Sequence, residues 1–160
     1  MHWTHTDNPA PALARWLDRR LAETDVVAQS ALYGITLIDA DLLSLAECVG
    51  ARSSLIIEGE VDDVLARGEC AEAMGFDALA LVRMVWLPTP DRPSRPSIGA
   101  HRFTGRRRAR AVAVVGDQGT GCVVRYEDDP QCVISLGGPG VAGLVVPLLS
   151  LWTRSTYGRA

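Results

Sequence analysis

The chain has 160 residues, about half of them apolar (48%) and 22% charged, with a formal net charge of −3. That size and balance suit one folded domain with a real core and exclude a disordered chain. The acidic balance argues against a dedicated nucleic-acid binder. The basic residues are all Arg, which excludes chemistry built on a Lys amine, such as a Schiff base, a phosphate-loop lysine or a Ser–Lys dyad.

In chain order, residues 1–8 are polar and predicted to be disordered. Asn8 is placed to cap a helix over 9–23, with Pro9 at its first position. Leu13, Trp16, Leu17 and Leu21 form its apolar stripe, and Arg15, Asp18 and Arg19 are predicted to face away. A strand is expected over 31–38. A second helix over 40–49 follows, capped by Asp39 and ended by Gly50. A short strand over 54–58 leads into a third helix from Val61, interrupted or weakened at Gly68 and stopped by Gly75.

The run LALVRMVWL (79–87) predicts a strand. Residues 88–97 hold four prolines in ten and predict an exposed loop. Strands over 108–115, 122–126 and 132–136 follow, separated by the turns DQGTG and EDDPQ. The last helix carries Val141, Leu144, Val145, Leu148 and Trp152 on one face, with Pro147 off that stripe. The fold class is therefore α+β: a mostly antiparallel sheet with a C-terminal meander, packed by about four helices, spanning 9–160.

No segment is long and apolar enough to cross a bilayer. The stretch 141–152 is too short, and it contains Pro147. The polar start, MHWTHTDNPAP, has no secretory character, so the expected location is the cytoplasm. Cys48, Cys70, Cys122 and Cys132 form no CxxC and are expected as free thiols.

Catalytic and metal signatures are missing. His2 and His5 are spaced to share a metal but lack a third ligand. Ser44, Ser53 and Ser54 stand outside any nucleophile elbow. The GDQGTG segment has phosphate-loop glycines but lies between two strands, where a hairpin turn explains it. The GGPG segment (137–140) precedes a helix, where backbone N–H groups can hold an anion, yet it lacks a basic partner and reads as punctuation. The acids Glu58, Glu60, Asp62, Asp63, Glu69 and Glu72 read as a solvated face rather than an acid–base pair. No cofactor is expected.

Charge segregation is the clearest signal. Asp39 to Asp77 contains ten acids against Arg52 and Arg67, and Arg83 to Arg110 contains eight Arg against Asp91. The two regions either neutralise each other or form a landing patch for a partner. Exposed aromatics and Arg are the usual interface anchors. The candidate partner-binding residues are Trp86, Arg92, Arg95, His101, Phe103, Arg106, Arg107 and Arg108. Few aromatics interleave with these Arg, which favours a protein partner over RNA.

Two stretches carry a family resemblance. They are GITLIDADLLSLAECVG (34–50) and GRRRARAVAVVGDQGTGCVVRYEDDPQCVISLGGPGVAGLVVPLLSLW (105–152). The first resembles the opening strand, acidic cap, Leu-rich helix and Gly of the type VII secretion-associated chaperones of actinobacteria. The second resembles their closing Arg-rich strand, D-x-x-x-G turn and apolar helix. That family is about twice as long and has two related halves. The resemblance therefore implies a half-sized version completed by a second copy, a homodimer. It also implies cytosolic binding of helical secretion substrates, without catalysis or cofactor. Two other readings stand beside it: a toxin-neutralising immunity-type protein using its acidic face, and a small enzyme or ligand binder whose site assembles in space, for example around His101, Cys48 or Cys122.

Overall fold

A computed structural model describes residues 8–23, 30–38, 50–88, 106–117, 119–136 and 142–157. The expected helix over 40–49, most of the loop 88–97 and the N-terminal tail lie outside the described residues.

The described elements follow the order α1 (Ala10–Glu23), β1 (Ser30–Leu37), β2 (Ala51–Glu58), α2 (Val61–Arg67), a short 3-10 turn (Ala71–Ala73), β3 (Ala78–Pro88), β4 (Arg106–Gly116), β5 (Gly119–Tyr126), β6 (Asp129–Leu136) and α3 (Ala142–Tyr157). The strands form one six-stranded antiparallel sheet in the order β2-β1-β3-β4-β5-β6. The α+β class and the C-terminal meander are as the sequence predicts.

Helices cover both faces of this sheet. On one face α1 lies over β4 and β5; on the other α3 lies over β3 and β4, beside α2. The central strands are therefore apolar on both sides and read as continuous runs rather than alternations. In β3, Leu79 and Leu81 point to the α3 face, while Ala78, Ala80 and Val82 point to the α1 face. In β4, Ala109, Ala111, Ala113 and Val115 meet α3, and Val112 and Val114 meet α1. Mostly small side chains on the α3 side leave room for Leu148, Leu151 and Trp152, all buried. Burying a side chain such as Leu148 stabilises the fold by about 1.5–3 kcal/mol.

Several boundaries differ from expectation. The strand predicted from Ser54 begins at Ala51, and β4 and β5 each begin earlier than predicted. The EDDPQ turn is confined to Glu127 and Asp128, and β6 already includes Pro130. Pro is tolerated there because β6 is an edge strand among the described residues, with one side outside the described ladder. β3 extends to Pro88, the first residue of the expected loop. Gly68 ends α2 in the left-handed region at φ 68°, so the third helix is interrupted there and does not run on to Gly75. α3 runs through Pro147 to Tyr157, and Leu151 joins its buried stripe.

One correction concerns α1. Asp18 does not face solvent; it is 1% exposed and lies against the sheet. Ala10 and Ala14 are buried beside Leu13, Leu17 and Leu21, so the buried face is wider than the Leu stripe alone and includes position 18.

Candidate protein-binding face

Strand periodicity divides the Arg run of β4. Even positions share the α1 face with Val112 and Val114, and odd positions share the α3 face. Arg107 lies on the α3 side. Its guanidinium stacks 4.3 Å from the Tyr126 ring centroid, and its Nη2 donates to Asp128 Oδ1 at 2.6 Å. The Arg107 bond holds the Asp128 carboxyl below its ordinary range. Arg107 thus ties down the β5–β6 turn and is not a free contact residue.

Arg108 lies on the α1 face. Its Nε is 3.7 Å from Glu127 Oε2, an ion pair beyond hydrogen-bond distance, and its side chain is 36% exposed. Trp86 is its cross-strand partner and is 64% exposed. Met84, half-buried, is next along the same side of β3. The backbone of Arg106 pairs with Pro88; its side chain lies outside the described residues. Arg92, Arg95, His101 and Phe103 also lie outside them. The structure therefore brings Trp86 and Arg108 together on one face and sends Arg107 to the other.

Two positions further along β4 is a feature absent from the sequence expectations. Arg110 and Arg125 are directly opposite each other on β4 and β5. Like charges in that position repel unless bridged. Asp18 of α1 bridges them: Arg110 donates to Oδ1 from Nη2 at 2.9 Å, and Arg125 donates to Oδ2 from Nη2 at 2.8 Å and Nε at 3.0 Å. Arg110 Nη2 also donates to the Asp18 carbonyl at 2.9 Å. Arg125 Nη1 donates to the Pro130 carbonyl, joining the cluster to β6. A sequence signal for this exists. Arg110 and Arg125 are each flanked by apolar neighbours inside a strand, and Asp18 lies four residues after a buried Ala14.

The other candidates resolve differently. The GDQGTG segment is the β4–β5 hairpin, in which Gly116 pairs with Gly119. Asn8 docks on it, donating from Nδ2 to the Thr120 carbonyl at 2.7 Å while its Oδ1 accepts from Ala10 N–H. The depression between them encloses about 10 Å³, room for a single water. Of the acids, Asp62 accepts from Arg83, while Glu58, Glu60, Asp63 and Glu69 are exposed. Cys70 and Cys122 are free and buried. Burial pushes the Cys122 thiol up to about 11; burial, then a hydrogen bond to Glu72, raises Cys70. Both are thiols rather than thiolates near neutral pH. Among the described residues no group of three metal-ligating side chains occurs, and no helix is long and apolar enough to cross a membrane.

No protein-family model, curated protein or solved structure matches this chain.

Proposed function

We propose that this chain is a non-enzymatic protein-binding domain of the chaperone or adaptor kind. Its contact is the end of the α1 face around Trp86 and Arg108. The observation that carries this reading is the exposure of Trp86 on a laddered strand, 64%, beside a partly exposed Arg. Trp and Arg are the residues most enriched at interface hot spots, and Trp is costly to leave in water. The resemblance to type VII secretion chaperones supplies the partner class: a helical secretion substrate, with a second copy of the chain completing the assembly.

The exposed acids Glu58, Glu60, Asp63 and Glu69 favour a second reading, an immunity-type protein that covers a basic surface. Affinity capture with the wild-type chain and Trp86→Ala, compared by quantitative mass spectrometry, separates the two. Loss of the captured proteins in Trp86→Ala supports the Trp86 face. Equal recovery with both baits contradicts it, and a basic toxin held equally well by both would establish the second reading.

A further inference from the structure

The chemistry of the partner can be argued from the charges beside Trp86; this step rests on the protein-binding reading above. On the α1 face, Arg110 and Arg125 share one carboxylate, Asp18, so one of the two guanidinium charges has no counter-charge within the cluster. Their side chains are 16% and 21% exposed, so the surplus charge is largely shielded from water but reachable from it. Arg108 is two residues along the same strand and face, and among the described residues its ion pair is the loose contact to exposed Glu127. α1 runs from the start of β5, where Asn8 meets Thr120, towards the Arg125 end. Its last turns therefore lie at the same end as Arg125.

A largely shielded cationic surplus attracts an anion more strongly than the same charge in open water, because screening there is weaker. The surroundings are not those of a free-phosphate site. Trp86 and Met84 of β3 pair with Arg108 and Arg110, and Val133 of β6 pairs with Arg125, so apolar residues flank the Arg row on the α1 face. An inorganic anion would leave that surface wet. We infer that this face binds an acidic–apolar peptide segment of a partner protein: an aromatic or aliphatic side chain on Trp86, with an adjacent Asp or Glu paired to Arg108 and the Arg110–Arg125 edge.

The test is selection of a random linear peptide library, displayed on phage, against the immobilised wild-type chain. Clones are then measured against Trp86→Ala, Arg108→Gln and Arg108→Lys, each shown by circular dichroism and thermal melting to fold as the parent does. Arg108→Gln removes the charge without setting up repulsion against Glu127. The expected result is a set of Trp86-dependent clones enriched in Asp or Glu beside an apolar residue. Their affinity should fall about tenfold in Arg108→Gln, and Arg108→Lys should retain most of it. Trp86-dependent clones without acidic enrichment would overturn the inferred chemistry and leave the binding reading standing. Failure to recover any Trp86-dependent clone would overturn both.

Discussion

Asp18 stabilises the sheet by bridging two guanidiniums that β4 and β5 place opposite each other, so that its carboxylate offsets their repulsion. Asp18→Asn keeps the shape and removes the charge, leaving both Arg side chains facing one another beneath α1. Breaking a buried ion pair from one side costs about 3–5 kcal/mol. Because the two Arg remain partly exposed, the expected loss is near the lower end, about 3 kcal/mol. Urea unfolding should show a lower midpoint with an unchanged slope. An unaltered midpoint would mean that the cluster is not stabilising. Cys122 gives a second prediction at this scale. Burial raises its thiol from an ordinary 9.0 to about 11, so the folded state excludes the thiolate. That contribution is whole below pH 9.0 and is lost as the pH rises towards 11. The Tyr33 hydroxyl, raised first by burial and then by Glu58, acts in the same direction. Wild-type stability should therefore fall through this alkaline window, and Cys122→Ala should fall less steeply. Parallel slopes for the two proteins would contradict the assignment.

At the scale of elements, α1 is positioned from both ends of β5. Asn8 holds its first turn to Thr120, and Asp18 holds its later turns to Arg125. Between these contacts α1 comes so close to the sheet that a Cβ on Gly121 would lie 2.4 Å from Pro11 N. Gly121→Val should lift the first turn of α1 and cost about 1–3 kcal/mol, as overpacking does. Trp16 is buried beneath α1, so its fluorescence should shift to the red before global unfolding. Unchanged stability and emission would show that the helix docks without this close approach. The sequence made α1 legible through the Asn8–Pro9 start and the Leu stripe. It hid the role of Asp18, because the burial of Ala10 and Ala14 is a property of the sheet below and not of helical spacing. In β4, Arg106 and Arg107 resemble a loop edge in sequence, yet the ladder to β3 extends through them. A strand whose charges lie outside the cover of the helices continues past the point where its apolar pattern ends.

At the scale of the molecule, the meander of β4 to β6 was readable from turn residues and run lengths, while the pairing of β3 with β4 across the proline-rich segment was not. The placement of β1 and β2 beyond β3 was not, because it follows from the chain crossing the α3 face through α2 before β3 returns alongside β1. The same limit applies to the candidate face. A linear cluster of Arg looks like one patch, but a pleated strand sends Arg107 to Tyr126 and Asp128 and leaves Arg108 with Trp86. The contrast among the described tryptophans provides the most direct measurement. Trp16 and Trp152 are buried, and Trp86 is exposed. Hydroxyl-radical footprinting read by mass spectrometry should oxidise Trp86 in the free protein and spare the other two. Repeated on the complex captured from lysate, it should show Trp86 protected. Trp86 oxidised equally in free and bound protein would contradict a binding face at the β3–β4 end of this sheet.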